Sequence, residues 1–452
     1  MGAIMNVLVI GAGLSGLAAA WRLRQAGHAV SLVERRDPAG GDGSFDSLET
    51  LHSGDRHAIG WLGELGLADN LLPLRPVQVV QARRGRTATI DPQHLRGVAA
   101  IPGVRKLHAL RLVRWARLMA RYFPLLDPTA PERAADLDYR SVSDFTGLYF
   151  GESVLRRWVA PEVEDFFSGE AEELSRVTAL MLWRARMTGR PGLGYTGLPR
   201  SGLDAVYRAA SSGIQAQHHA AVVRLEGGGQ GGYEITCDAS VASSRSFRAD
   251  AVVVATSPAE AACLAAPVLE PAERDFLTGV RERPTLTLTV ELERAPSGLP
   301  ERVRLPHEEG FSAQSVVFEP SLAGSRLASG PGRATVRARE AFALGAGEMS
   351  DEGVEKTLLA DLKLLYPALV GGMGATRLDR REGGTPAFDV GAYRGLRSFR
   401  RVQVDRRSLG RRLYFAGDYL ISPSIEGRVV SGFRAAADLV ADVSGAPLGS
   451  AD

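Results

Sequence analysis

The chain has 452 residues, of which 45% are hydrophobic and 23% charged, and its formal net charge at pH 7 is +2. This length predicts two or three domains with a sizeable core. The small net charge argues against nucleic acid as the main partner, because nucleic-acid-binding domains carry strong positive fields. Only Lys106, Lys356 and Lys363 among the 54 basic residues are lysines, so chemistry that needs an amine has few candidates.

The cysteines and histidines indicate neither a disulfide framework nor a metal site. Cys237 and Cys263 are the two cysteines, and neither lies in a metal-binding spacing. The apolar run at 7–21 lacks the basic residues that precede it in a signal peptide, and no other run approaches the length of a membrane span. We therefore expect a soluble, cytoplasmic protein with reduced thiols.

The chain begins with a predicted strand–helix–strand unit over 7–10, 14–26 and 29–34. The turn before the helix reads Gly-x-Gly-x-x-Gly, a spacing that allows a tight turn, a close approach of backbone to pyrophosphate, and close packing of helix on strand. Glu34 ends the second strand, where a carboxylate accepts hydrogen bonds from ribose hydroxyls. The unit predicts dinucleotide binding by Gly11, Ala12, Gly13, Leu14, Ser15, Gly16 and Glu34.

Residues 92–190 are predicted to be mostly helical. The segment 107–123 is the most strongly patterned, with arginines recurring every three or four residues and apolar side chains on another face. This pattern favours a solvated face over a protein core. A weak contact with an anionic membrane surface is the alternative.

Strands return after residue 213. A hairpin-like pair is predicted at 220–225 and 233–237, a buried strand at 251–255, and an antiparallel strand at 285–291. A strand at 412–416 and a helix at 426–443 end the pattern. Because the α/β segments lie at the start, middle and end, we predict an α/β fold with a discontinuous Rossmann-like domain and an inserted, mixed α+β substrate domain.

Several motifs resemble those of one superfamily, that of flavin-containing amine oxidases, protoporphyrinogen oxidases and phytoene desaturases. Glu34 and the residues after it resemble its extended FAD signature, and the segments 414–418 and 424–427 resemble its C-terminal flavin motif. The layout is most similar to that of protoporphyrinogen-oxidase-like members. Beyond the glycine turn, the resemblance implies FAD contacts at Arg35, Arg36, Gly40, Gly41, Val222, Ala255, Thr256, Gly417, Asp418, Ser424 and Ile425.

The resemblance also implies a division of the chain. An FAD-binding domain of the GR2 type would comprise 1–85, 198–278 and 392–452. A substrate-binding domain, partly helical and partly an antiparallel sheet, would comprise 86–197 and 279–391.

The sequence departs from the family pattern at three places. Asp42 stands where the family has an arginine that balances phosphate charge, and Arg35 and Arg36 are nearby substitutes. The strand region 281–291 lacks the lysine that amine oxidases often place near flavin N5, and Ser424 replaces an aromatic residue. Both cysteines precede the region of covalent attachment, so we expect non-covalent FAD and disfavour simple amine oxidation.

The resemblance implies an FAD-dependent oxidase or dehydrogenase. It would take a hydride from carbon of a mostly apolar small molecule and pass electrons to oxygen or another acceptor. A redox-neutral isomerase of the same fold and a non-catalytic flavin-binding partner protein are the alternatives. No motif identifies a general base; Tyr195, His307, Tyr393 and Tyr419 are candidates by residue type alone.

Overall fold

A computed structural model describes residues 3–35, 49–74, 78–81, 86–89, 95–188, 195–198, 200–217, 220–227, 232–239, 245–294, 299–300, 302–319 and 332–444. The strands in these ranges are β1 (Asn6–Ile10), β2 (Ala29–Val33), β3 (Glu49–His52), β4 (Leu72–Leu74), β5 (Gln78–Gln81), β6 (Arg86–Thr89), β7 (Tyr195–Leu198), β8 (Gln215–Gln217), β9 (Ala220–Gly227), β10 (Tyr233–Ala239), β11 (Arg245–Ala249), β12 (Ala251–Val254), β13 (Glu282–Leu292), β14 (Arg302–Arg304), β15 (Ala313–Glu319), β16 (Gly332–Ala338), β17 (Met373–Pro386) and β18 (Leu413–Phe415).

Helices occupy much of the remaining described chain. They are α1 (Leu14–Gln25), α2 (Arg56–Glu64), α3 (Lys106–Arg111), α4 (Arg114–Tyr122), α5 (Val142–Tyr149), α6 (Glu152–Val154), α7 (Ala160–Phe167), α8 (Arg176–Thr188), α9 (Arg200–Ser211), α10 (Pro258–Leu264), α11 (Pro271–Gly279), α12 (Glu340–Gly345), α13 (Asp351–Leu365), α14 (Ala392–Ser408) and α15 (Ile425–Ser444).

A five-stranded parallel sheet has the strand order β18-β12-β1-β2-β8. Its central strands are runs of aliphatic residues and are buried on both faces, as expected for a parallel sheet. Val7 and Val9 of β1 pack towards α1 and α15, whereas Leu8 and Ile10 pack with α10, α11 and α14. The sheet confirms the predicted α/β fold, and its strands come from the start, middle and end of the chain.

A second large sheet contains the predicted antiparallel strand. Its order is β17-β13-β16-β15-β14-β5-β6, and α13 packs on one face through Val354, Leu358 and Leu362. Strand β5 joins this sheet by parallel pairing with β14. The predicted division assigned β5 to the FAD-binding part, so the sheet crosses the predicted boundary at residue 85. The domain boundaries stay a prediction.

The region 95–188 is helical, and its core is rich in aromatic side chains. The strongly patterned segment 107–123 contains two helices, α3 and α4, which a turn at Leu112 and Val113 separates. Leu112, Trp115 and Met119 are buried in this core. No helix among the described residues is long and apolar enough to cross a membrane.

A buried ion-pair cluster joins the helical region to the seven-stranded sheet. Asp165 of α7 is 1% exposed and accepts hydrogen bonds from Arg302 (3.1 Å), Arg304 (2.8 Å) and the Ser315 hydroxyl (2.6 Å). Burial alone would raise the pKa of Asp165. The guanidinium groups of Arg302, Arg304 and Arg337 outweigh that effect and hold the pKa well below its usual range.

We predict that Asp165→Asn lowers the free energy of unfolding by about 3–5 kcal/mol, because it removes the buried negative charge that Arg302, Arg304 and Arg337 share. Urea unfolding at neutral pH measures the change. The matched control is Asp136→Asn, which breaks a surface pair with Arg397 at 2.8 Å. The free energy of unfolding of that variant should fall by less than about 1 kcal/mol. Equal losses in the two variants would contradict the proposed role of Asp165.

Candidate functional site

The glycine turn after β1 has the geometry that its sequence predicts. Gly11 has φ +103°, and a Cβ atom there would lie 2.6 Å from the carbonyl oxygen of Ala255. A Cβ at Gly16 would lie 1.9 Å from the carbonyl oxygen of Gly11. A Cβ at Gly13 would meet no atom within 4 Å. The first and third glycines therefore allow tight packing, and the second leaves backbone open to the neighbouring space.

Helix α1 begins directly after this turn. Gly13 is its N-cap, so no side chain caps the helix, and its first turn contains no acidic residue. The unpaired amides and the positive end of the helix dipole therefore face the open space beside Gly13. This arrangement is suited to bind a phosphate group.

Glu34 and Arg35 follow β2 at the same edge of the sheet. A carboxylate oxygen of Glu34 accepts the amide N–H of Ala12 at 2.8 Å, which places the acid against the glycine turn. Arg35 forms a salt bridge with Glu260 of α10, at 2.6 Å. The other predicted residues of this signature, Arg36, Gly40 and Gly41, lie outside the described residues, as does Asp42.

A cleft of about 590 Å³ opens at the carboxyl ends of β1, β2 and β12. This edge is where parallel α/β sheets bind their ligands. The lining includes most of the described residues that the sequence predicts: Gly11, Gly13, Leu14, Ser15, Glu34, Arg35, Val222, Ala255, Thr256, Gly417 and Asp418.

Ser424 and Ile425 do not belong to the described lining. The Ser424 hydroxyl accepts the amide N–H of Gly427 at 3.0 Å and so caps α15, while Ile425 is buried in the core beside α1. The resemblance assigns the amides of 425–427 to the flavin pyrimidine edge. Of these amides, that of Gly427 donates to the Ser424 hydroxyl, and the contact with flavin stays a prediction.

Four further charged residues line the cleft and were not predicted: Glu260, Glu282, Arg381 and Arg428. Arg428 lies on α15, with its Nε 3.3 Å from a carboxylate oxygen of Asp418. Glu282 and Arg381 come from the adjacent strands β13 and β17. Burial, and then the charges of Asp418 and Glu260, raise the pKa of Glu282. Arg428 directly follows the 424–427 motif, so the sequence could have indicated that it lies near the cofactor. No sequence motif indicated Glu282 or Arg381.

None of the four candidate bases belongs to the described lining of the cleft. His307 is exposed in a turn after β14, and only the backbone of Tyr195 is described. Tyr393 is buried, with its amide bonded to Asp138. Tyr419 is buried beside Asp418, and its hydroxyl has no hydrogen-bond partner among the described residues. Burial raises the pKa of both tyrosines far above the usual range.

Glu426, in the same motif, joins α15 to α2. Its carboxylate accepts the amide of Ala58 at 2.7 Å and lies 2.7 Å from the Nδ1 atom of His57. Hydrogen bonding to Glu426 raises the pKa of His57. Asp55, the N-cap of α2, is half-buried nearby, and desolvation followed by the charge of Glu426 raises its pKa to about 8. The cluster fixes the start of α15 against α2.

A separate group of acids lies in the helical region. Carboxylate oxygens of Glu164, Glu170 and Glu172 lie within 4.8 Å of one another. Burial, and then the charge of Glu170, raise the pKa of Glu164 to about 8, and an Arg339 nitrogen lies 3.8 Å from its carboxylate. Protonation and the arginine already reduce the negative charge, so we assign no metal ion to this group.

The fold and the cleft define a protein of the α/β class, and comparison with known families narrows this class. The family model described as flavin containing amine oxidoreductase matches residues 14–440. The chain belongs to that family and is a flavin-dependent oxidoreductase, which confirms the superfamily indicated by its motifs.

Solved structures share this fold over nearly the whole chain. A redesigned putrescine oxidase is 19% identical with a TM-score of 0.74, and a protoporphyrinogen oxidase from Exiguobacterium sp. 255-15 is 14% identical with a TM-score of 0.71. Each alignment covers 97% of this chain and 99% of the other. At these identities the likeness shows the fold alone.

A short local match is to a D-amino acid dehydrogenase from Paramagnetospirillum magneticum (strain ATCC 700264 / AMB-1). The two are 56% identical over 41 residues, which are 9% of this chain and 10% of that protein. The chain matches only about a tenth of the length of its curated relatives.

We predict that Asp55→Asn makes the protein more stable at alkaline pH. The raised pKa means that the folded protein retains a proton that the unfolded chain releases near pH 4, so stability falls as pH rises from about 4 to about 8. As pH rises from about 6 to about 9, the free energy of unfolding should therefore fall in both proteins. The fall should be smaller in the variant than in wild type, by on the order of 1–2 kcal/mol. Urea unfolding across this range, with the exposed Asp204→Asn as control, measures the difference. Identical pH profiles for wild type and Asp55→Asn would contradict the assignment.

We further predict that Arg428→Gln weakens flavin binding about tenfold, or about 1.4 kcal/mol, because it removes one of the three arginines that line the cleft and can pair with a phosphate group. Titration of the apoprotein, followed by flavin fluorescence, gives the dissociation constant. Arg401→Gln on the exposed face of α14 is the control and should bind as wild type does. Unchanged affinity in Arg428→Gln would show that this arginine only orients Asp418.

Proposed function

We propose that the protein is an FAD-dependent oxidase or dehydrogenase. It takes a hydride from carbon of a mostly apolar small molecule and passes the electrons to oxygen or another acceptor. The observation that carries the proposal is one continuous cleft, which runs from Glu34 and Val222 at the parallel sheet to Glu282 and Arg381 of the inserted strands. Such a cleft can hold a dinucleotide and present one end of it to a substrate.

FAD, rather than a mononucleotide flavin, is supported by the two ends of the binding surface. Glu34 is placed to accept hydrogen bonds from an adenosine ribose, next to Val222. The first turn of α1 and Arg428 lie where a pyrophosphate would need positive charge. A flavin without adenosine and pyrophosphate would leave these groups unused.

Non-covalent binding is supported by the positions of the two cysteines. Cys237 is buried in β10 and does not belong to the described lining of the cleft. Cys263 does line the cleft, but it lies one turn after Glu260, which pairs with Arg35 beside the predicted ribose ligand Glu34. That position is suited to the adenosine end rather than to the flavin ring.

The bound FAD would supply the hydride acceptor, and the chain would supply position and a dry surface. With FAD bound, the amides after Gly13 would hold phosphate oxygens, Glu34 would orient the ribose, and Asp418 with Arg428 would hold the centre of the cofactor. Glu282 and Arg381 lie on the strands that face the cleft from the insert. Burial, and then the charges of Asp418 and Glu260, raise the pKa of Glu282.

The inserted strand β13 supports a substrate other than a simple amine, because it carries no lysine along its length. The charge of the cleft selects neither an amine nor an anion, since three arginines (Arg35, Arg381 and Arg428) and four carboxylates (Glu34, Glu260, Glu282 and Asp418) line it. Among the solved structures of this fold, one holds a putrescine oxidase with putrescine, and another is named as a protoporphyrinogen oxidase. Of these two kinds of substrate, we propose the cyclic, mostly apolar one.

Anaerobic mixing tests the proposed reaction. We expect a mostly apolar cyclic donor, such as a porphyrinogen, to bleach the flavin band at about 450 nm, while putrescine leaves it unchanged. Bleaching by putrescine would overturn the substrate class. Conversion of a substrate to an isomer without bleaching, and without oxygen consumption, would overturn net oxidation itself.

Acid denaturation tests the cofactor. We expect the precipitated protein to be colourless and the released flavin to have the mass of FAD, for the wild type and for Cys263→Ser alike. Yellow precipitate in the wild type only would show covalent attachment at that cysteine. Release of a flavin without adenosine would show that the glycine turn serves another purpose.

A further inference from the structure

An apolar ridge projects from the helical region into solvent. It consists of Leu107 and Leu110 of α3 and Val113 in the turn before α4, and the side chains are 75%, 65% and 77% exposed. The spacing of three residues places Leu107 and Leu110 next to each other on α3, and Val113 follows at the same spacing in the turn. Exposed aliphatic side chains grouped in this way mark an interaction surface more often than isolated ones do.

The ridge is separate from the apolar face that packs inside the protein. Leu112, Trp115, Met119 and Tyr122 are buried, with at most 8% exposure, and belong to the aromatic core of the helical region. The pattern at 107–123 thus contains two apolar faces. One is used by the protein's own core, and the ridge is left for another partner.

Basic side chains surround the ridge. No acidic residue occurs between Asp91 and Asp127. Six basic residues near the ridge are exposed: Arg105, Lys106, Arg111, Arg114, Arg117 and Arg121. Within the described part of the chain, none of them forms a salt bridge with an acidic side chain. Many arginines elsewhere in the described chain are paired with carboxylates, as Arg304 is with Asp165 and Arg434 with Glu132.

We propose that this surface binds the face of an anionic phospholipid bilayer. The basic side chains would contact lipid phosphates, and the ridge would enter the boundary between head groups and acyl chains without crossing the membrane. Charge complementarity selects this occupant. A second copy of the chain, docked by the same face, would bring the two sets of cations together. The proposal is independent of the proposed reaction, because none of these residues lines the cleft.

Vesicle sedimentation with the full-length protein tests the proposal. We expect the protein to pellet with phosphatidylcholine vesicles that contain about one third phosphatidylglycerol, and to stay in solution with pure phosphatidylcholine. Binding should fall steeply in high salt, because the Debye length shortens to about 3 Å at 1 M. Protein that remains in solution with the anionic vesicles at low salt overturns the proposal.

Two variants separate the contributions of charge and ridge. The triple variant Arg114→Gln, Arg117→Gln, Arg121→Gln and the triple variant Leu107→Ser, Leu110→Ser, Val113→Ser should each weaken vesicle binding at least tenfold. The control replaces Leu344 and Leu364 by serine, since these leucines are 63% and 72% exposed elsewhere, and should bind as wild type does. Near-ultraviolet circular dichroism confirms that each variant is folded.

The remaining outcomes decide against the proposal. Wild-type binding by the ridge variant would mean that the apolar side chains do not enter the bilayer. Sedimentation velocity tests the other occupant. If the wild type is a dimer, the ridge variant is a monomer and neither binds vesicles, the surface belongs to a second copy of the chain.

Discussion

The candidate site depends on backbone segments that approach one another more closely than any side chain would permit. A Cβ atom at Gly16 would lie 1.9 Å from the Gly11 carbonyl oxygen, and one at Gly432 would lie 2.3 Å from the Ser15 carbonyl oxygen. These contacts press α1 onto β1 on one side and onto α15 on the other. The first turn of α1 and Asp418 therefore line the same cleft. The cofactor surface is thus a consequence of packing density in the core beneath it.

A second constraint is the placement of arginine. Three of the 54 basic residues are lysines, and several of the arginines are buried beside carboxylates at junctions between elements. Arg283 contacts Glu173, Glu340 and Asp389, and so connects the seven-stranded sheet with the helical region and with the segment before α14. A planar guanidinium can satisfy several carboxylates at once, which a lysine ammonium does less well. The unusual composition therefore has a structural use.

The part of the site that sequence could predict is the part built from local patterns. The glycine turn and Glu34 lie within one strand–helix–strand unit, whose strand and helix periods are visible in the residues themselves. The resemblance located Val222, Thr256 and Asp418, which also line the cleft. In each case a short segment contains both the residue and its structural context.

The remainder depended on contacts between distant segments. Glu282 and Arg381 line the cleft only because β13 pairs with β17, and β5 joins the larger sheet only through β14. No local pattern specifies those pairings. The role of Ser424 as a helix cap also depended on where α15 begins, and helix ends are the least certain part of any sequence-based prediction. None of the four candidate bases belongs to the described lining, for a similar reason. They were chosen by residue type, and residue type does not determine where a side chain lies in the fold.

The order of strands in the parallel sheet has a consequence for the synthesis of the protein. Strand β1 lies at the centre of the sheet, yet β12 and β18, on one side of it, come from residues 251–254 and 413–415. Helix α15, which packs on α1, is made later still. On the ribosome, the glycine turn emerges before these elements and must wait for them before its neighbours exist. Such long-range closure slows folding and prolongs the exposure of apolar strands. The cofactor cleft can therefore form only after α15 has been synthesised.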